Sequence, residues 1–114
     1  MQIPIEKINP TTAIVRLSGR MDVESSPAVR QTLLELAGQG FTNLIVDLTQ
    51  VDFMDSSGLS ALVTGMKVLR KSNGVLSLCG PNSQIRTVLH LTMLDNVFAV
   101  FDDLDQALGN PPSK

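Results

Sequence analysis

Residues 43 to 59 read Asn43-Leu44-Ile45-Val46-Asp47-Leu48-Thr49-Gln50-Val51-Asp52-Phe53-Met54-Asp55-Ser56-Ser57-Gly58-Leu59, and the order of residue types in this run decides the fold. Leu44 to Leu48 is a short apolar stretch of the kind that lies in a sheet covered on both faces. From Asp52 onward the chain passes through a polar turn into a helix, with two hydroxyls, Ser56 and Ser57, at the junction. That helix runs from about Ser57 to Lys71 and stops before Asn73-Gly74, with Lys67, Arg70 and Lys71 near its negative end.

Outward from this unit, the same alternation continues in both directions. Ser26 followed by Pro27 opens a helix whose Val29, Leu33, Leu36 and Ala37 share one face, and Gly38 and Gly40 end it. Ahead of it, Ala13 to Leu17 is a strand, and Ile3 and Ile5 flank a proline that suits only an edge strand, with Asn9-Pro10 as the turn between them. Downstream, Val75 to Cys79 is a strand, and Asn82 or Ser83 caps a helix carrying Ile85, Val88 and Leu89. Val97 to Phe101 returns to strand, and Asp102 opens a short helix through Leu108. Strands separated by helices are parallel neighbours joined by right-handed crossovers. The expectation is an α/β domain: a mixed, mostly parallel sheet of about five strands with an antiparallel N-terminal edge strand, and about four helices. It spans residues 1–108, followed by a disordered tail over 109–114.

At 114 residues, 43% hydrophobic and 18% charged, the chain suffices for one core and not two. A net charge of −2 gives no footprint for nucleic acid or an anionic membrane, which points to a protein or small-molecule partner. The single Cys79 cannot form an intrachain disulfide, and the first residues have neither the basic start nor the apolar run of a signal peptide. No segment is long and apolar enough for a bilayer span or membrane insertion. The expected location is the cytoplasm.

In open sheets of this kind, sites gather beyond the carboxyl ends of the parallel strands. The Asp55-Ser56-Ser57 turn lies there. Gly19-Arg20-Met21-Asp22 lies there too if the first parallel strand ends near Ser18, which brings Asp22 to the same surface. A serine in a helix's first turn stands beside unpaired N–H groups and the positive end of the dipole, so Ser56 can carry a phosphate without unfolding the helix. Along the helix, Leu59, Leu62, Val63, Met66 and Leu69 form a core face. The opposite strip carries Ser57, Ser60, Ala61, Thr64, Lys67, Val68 and Lys71, small and polar enough for a partner to lie flat on it. Gly58 and Gly65 each cost about 1 kcal/mol in a helix interior, which close approach of another backbone would offset.

Plainer readings stand beside these. Ser56 on local chemistry alone reads first as a helix N-cap, since Asp and Ser are both favoured there. A nucleophilic serine enzyme lacks support: His90 is the lone histidine and reads as packed at the end of its helix, and Met54 occupies the first glycine position of a nucleophile elbow. Cys79 reads as a small buried hydrophobe. Asp47, Asp52 and Asp55 have no His or Cys at ligand spacing, so turn and cap roles are expected and no metal. No phosphate-binding glycine loop is present, and no cofactor is expected.

The run from Asn43 to Leu59 resembles the signature of the STAS domain, specifically of bacterial anti-sigma factor antagonists. The likeness extends to Ser18-Gly19-Arg20-Met21-Asp22 and to the pattern from Ile85 through Leu108. Met93 departs from it, standing where many members have glycine, and Ser60 replaces a frequent glycine on the strip. What the resemblance implies is a partner switch that is not itself an enzyme. The unphosphorylated antagonist binds an anti-sigma factor that is also a serine kinase; phosphorylation at Ser56 ends the binding, and a metal-dependent serine phosphatase resets it. ATP and magnesium belong to the kinase. The partner surface expected is Asp22, Asp55, Ser57, Gly58, Ser60, Ala61, Thr64 and Val68. Two other uses of such a domain are a non-switching scaffold subunit of a lipid-transport or transporter assembly and a small-molecule sensor at the Asp22 and Ser56 surface.

Overall fold

The computed structural model describes residues 2–109. Its elements in chain order are β1 (Ile5–Asn9), β2 (Thr12–Met21), α1 (Ser26–Gly38), β3 (Asn43–Met54), α2 (Ser56–Arg70), β4 (Val75–Cys79), α3 (Ser83–Leu91), a 3-10 turn (Leu94–Asn96), β5 (Ala99–Phe101) and α4 (Leu104–Gly109). The five strands lie in the order β1-β2-β3-β4-β5. β1 is antiparallel to β2 and every other neighbouring pair is parallel, as the alternation of strands and helices requires.

Side chains alternate across the sheet. Ala13, Val15 and Leu17 of β2, Leu44, Val46 and Leu48 of β3, and Leu76 and Leu78 of β4 join the larger core with Val29 and Leu33 of α1, Leu59, Leu62 and Leu69 of α2, and Ile85 and Leu89 of α3. On the other face, Ile14, Ile45 and Cys79 form a smaller cluster with Ala107 of α4, packed by Phe101 and Leu104. Beside it runs a chain of ions. Arg16 bridges Glu6 at 2.6 Å and the buried Asp47 at 2.9 Å, and Asp47 also accepts from the Thr49 amide and hydroxyl.

Several boundaries differ from those expected. β2 and β3 run well past their apolar segments, to Met21 and Met54, because each continues to pair with the other after its outer neighbour has left. β1 pairs only as far as Val15 and β4 only as far as Cys79. β5 is reduced to three residues, since the 3-10 turn takes up the chain ahead of it. α4 starts at Leu104 and includes Gly109, a residue expected in the tail; the rest of that expected tail, residues 110–114, lies outside the described residues. The end of α2 is as read: Asn73 takes a left-handed conformation (φ 59°) and the Gly74 amide returns to the Leu69 carbonyl at 2.8 Å, closing the helix.

Candidate functional site

The paired ends of β2 and β3 build the site. Their register holds to Met21↔Met54, and one residue later the Asp55 amide donates to the Met21 carbonyl at 3.1 Å. Asp55 is extended (φ −109°, ψ −169°) and caps α2: its carboxylate accepts from the Ser57 amide at 2.8 Å and the Gly58 amide at 3.2 Å, while its carbonyl takes the Leu59 amide. The expectation of Ser56 as cap is therefore corrected, because the residue before it has the extended backbone that a cap needs. Ser56 is the first helical residue, exposed, with its hydroxyl outside every side-chain hydrogen bond of the site. The N–H groups expected to cradle an added phosphate are already taken by Asp55, apart from that of Ser56 itself.

A rigid loop forms the adjoining wall. The Asp22 carboxylate accepts from the Glu24 amide at 3.1 Å and the Ser25 amide at 3.3 Å. The Ser25 hydroxyl donates to the Arg20 carbonyl at 2.8 Å and accepts from the Asp22 amide at 3.0 Å. Asp22 reaches this surface because β2 continues to Met21, so its side chain is half-committed to holding the loop. The loop displays Val23 with 70% of its surface exposed. Behind it the Arg20 guanidinium lies over the Phe53 ring, 4.2 Å from the centroid, with its Nε 3.6 Å from the Asp22 carboxylate. Val23 carries no signal in the sequence, and Arg20 and Phe53, though they lie in the runs that resemble the family, have nothing in their residue type that marks them as a contacting pair.

The strip on α2 needs correction. Ala61 is fully buried and Gly58 is buried, so neither lies on an exposed face. α2 packs on α1 as well as on the sheet, and the residues between those contacts are small: a Cβ on Gly58 would stand 2.5 Å from the Met21 carbonyl oxygen, and one on Gly65 2.6 Å from Leu33 Cδ1. The close approach that these glycines implied is internal to the chain. What remains open is Ser56, Ser60, Lys67 and Lys71, with Ser57, Thr64 and Val68 half-buried at its margin.

The third wall is the start of α3. Asn82 caps that helix by accepting from the Ile85 amide at 2.9 Å, as one of the two expected caps, and its amide nitrogen donates to the carbonyls of Val51 and Asp52. Gln84, which the sequence reading left aside, bonds the backbone of Met54. At the far end of α3, His90 is not packed: its ring is 81% exposed and 3.1 Å from the Asp95 carboxylate. Cys79 is buried, and desolvation first, then Asp47, pushes its thiol up to about 11. Asp55 and Asp47 serve as cap and ion-pair partner. Among the described residues no three His, Cys, Asp or Glu side chains are grouped to hold a metal, and no helix is long and apolar enough to cross a membrane.

Comparison with known proteins matches this arrangement to one family. A model described as the STAS domain matches residues 3–107. The chain is similar to the anti-sigma-B factor antagonist of Bacillus subtilis strain 168, 32% identical over 94 residues, 82% of this chain and 85% of that one. It superposes on the crystal structure of an anti-sigma factor antagonist from Mycobacterium paratuberculosis with a TM-score of 0.85 and 29% identity, covering 95% of this chain and 91% of that one. The anti-sigma factor antagonist SpoIIAA in its unphosphorylated form shares the fold, with a TM-score of 0.83, 23% identity and coverage of 94% and 93%. SpoIIAA has also been solved in a phosphorylated form, with a TM-score of 0.76.

Proposed function

Because the chain belongs to the STAS domain family, we propose that it is an anti-sigma factor antagonist, a protein ligand and kinase substrate without catalytic activity, switched by phosphorylation at Ser56. The unphosphorylated form binds an anti-sigma factor that is also a serine kinase. In the transfer, Ser56 Oγ bonds to the γ-phosphorus of ATP, the bridge to ADP breaks, and the hydroxyl proton passes to a base on the kinase. A metal-dependent serine phosphatase resets the cycle by hydrolysing the ester.

The observation that carries this reading is the division of labour between Asp55 and Ser56. The cap is Asp55, which leaves the Ser56 hydroxyl at the surface with no structural bond to lose. A phosphate adds about −1.5 to −2 charges, taking the chain from −2 to roughly −4. It does so next to the Asp55 carboxylate, with Asp22 at the neighbouring strand end. With Ser57 and Gly58 N–H engaged, the new charge is directed outward into the contact surface, where it opposes docking by repulsion and lost fit without refolding the domain. That surface is assigned to Asp22, Asp55, Ser57, Ser60, Thr64 and Val68, with Val23 added as its exposed apolar residue.

The test is the intact mass of the protein from its own cells, before and after a serine phosphatase, with Ser56→Ala as control, followed by capture of the partner. One removable phosphoryl group that Ser56→Ala lacks, with constitutive partner binding by Ser56→Ala and weak binding by Ser56→Asp, is the expected result. A folded Ser56→Ala that fails to bind the partner, or Ser56→Asp that binds as wild type does, refutes the switch. Absence of any phosphoryl group with an unchanged, permanent partner replaces it with the scaffold reading.

A further inference from the structure

On the β4 side, β3 loses its neighbour after Asp47↔Cys79, which opens the strand edge from Leu48 to Met54. Two side-chain amides, from the cap and the first turn of α3, close it. Asn82 Nδ2 donates to the Val51 carbonyl at 3.3 Å and the Asp52 carbonyl at 3.0 Å. Gln84 engages Met54 twice: its Oε1 accepts from the Met54 amide at 3.0 Å, and its Nε2 donates to the Met54 carbonyl at 2.9 Å. The primary amide thus stands in for the peptide group that an adjacent strand would supply.

We infer that Gln84 is the positioning residue of the switch serine: through Met54 it fixes the backbone immediately ahead of the Asp55 cap and so sets the pose in which Ser56 is offered to the kinase. The use of that pose rests on the switch reading above; the pose itself does not. Gln84 sits on a firm base, since Ile85 and Leu89 of the same helix are buried in the core, and a site held by a packed element is more precise than one held by a loop. Met54 has Met21 on its other side, so removing Gln84 frees one edge of the last ladder residue before the junction. Phosphoryl transfer needs the acceptor oxygen in line and within near-contact distance, and misplacement by about 1 Å costs up to ~100-fold.

The test uses the full chain with Gln84→Met, which keeps the length and loses both bonds, and Gln84→Glu, which keeps only the acceptor. Arg86→Ala is the control, removing from the same helix the ion pair to Asp102 and the bond to the Pro81 carbonyl. Two rates are read: amide hydrogen exchange at Met54, and labelling of Ser56 by magnesium ATP in a lysate of the protein's own cells, with Ser56→Ala as blank. Gln84→Met is expected to speed Met54 exchange by about tenfold and slow labelling by about fivefold or more, Gln84→Glu to fall between, and Arg86→Ala to move neither even if it melts earlier. Unchanged Met54 exchange in Gln84→Met overturns the inference. So does unchanged labelling despite faster exchange, or equal slowing by Arg86→Ala. A wild-type chain that takes no label overturns the switch reading and the role drawn from it; the exchange arm tells that failure from a failure of the Gln84–Met54 contact.

Discussion

Changing Asp55 and Ser56 separately distinguishes the residue that caps α2 from the residue proposed to carry the switch. Loss of an N-cap side chain costs about 0.5–2 kcal/mol. Asp55→Ala belongs at the upper end, about 2 kcal/mol, because it strands two donors and one of them, the Gly58 amide, lies where the helix packs on Met21, away from replacement by water. Asp55→Asn keeps the acceptor and loses only the charge facing the helix dipole, about 0.3–1 kcal/mol. Ser56→Ala removes an exposed hydroxyl with no bond and should stay within about 0.5 kcal/mol. For 114 residues, an unfolding entropy of about 2.1 cal/mol/K per residue makes 1 kcal/mol worth about 4 °C. Calorimetric melting at pH 7 should therefore show losses of about 8 °C for Asp55→Ala, about 1–4 °C for Asp55→Asn and under about 2 °C for Ser56→Ala. A Ser56→Ala loss as large as that of Asp55→Ala would place the cap on the serine and remove the argument that its hydroxyl is free for modification.

Gly58→Ala should destabilise by up to about 2 kcal/mol in urea titration, since the added methyl meets the Met21 backbone at a cost of about 1–3 kcal/mol, against the ~1 kcal/mol gained in helix propensity. Met93→Gly should raise stability by about 0.5–1 kcal/mol, because Met93 is held left-handed at φ 61° with most of its surface exposed, a conformation that glycine adopts without a Cβ penalty. Val68→Lys should fold normally and weaken anti-sigma factor binding in titration calorimetry, whereas Ala61→Lys should fail to fold, as a lysine there enters the core. The Cys79 thiol, raised to about 11 in the fold, makes stability complete below the unfolded thiol's ordinary value near 8.5 and progressively lost as pH rises toward 11. Cys79→Ala should flatten the melting temperature over that range.

Order and type of the elements were legible because the core strands are continuous apolar runs and the helices punctuated by Ser-Pro, Gly and Asn-Gly. Strand length was not. Past Leu17 and Leu48 the residues turn polar, and only the pairing of β2 with β3, interrupted by two register shifts with Gly19 at positive φ beside one of them, keeps Ser18 to Arg20 and Gln50 to Asp52 in the sheet. The cap was ambiguous because adjacent Asp and Ser are equally suited, and backbone dihedrals rather than residue type decide between them. Ala61 was misplaced for a geometric reason: a helix wedged between a sheet and a second helix buries a wider arc than one apolar stripe marks, and its small residues carry no hydropathy signal strong enough to show it. Gln84 was invisible since an amide that completes a strand edge looks, in sequence, like any polar helix residue. Met93 was flagged by its departure from the family's glycine, and the structure finds that position left-handed.

The projection of β2 and β3 beyond their neighbours has a consequence for how the molecule opens. Within the sheet, Leu44 to Leu48 can be freed only by disrupting the whole core, so their amides should exchange near the global unfolding limit. Val51 to Met54 belong to a two-stranded ribbon, a form of marginal standing by itself, tethered at its margin by side-chain amides. Opening this tip carries the buried Val51 and Met54 out of the core, yet it breaks one ladder where Leu44 to Asp47 break two, so its amides should exchange somewhat below the global limit. Ser56, where the switch is proposed, follows this tip as the first residue of α2, whose Leu59 and Leu62 are buried in the core, so opening of the tip loosens the strand ahead of the serine and not the helix that carries it.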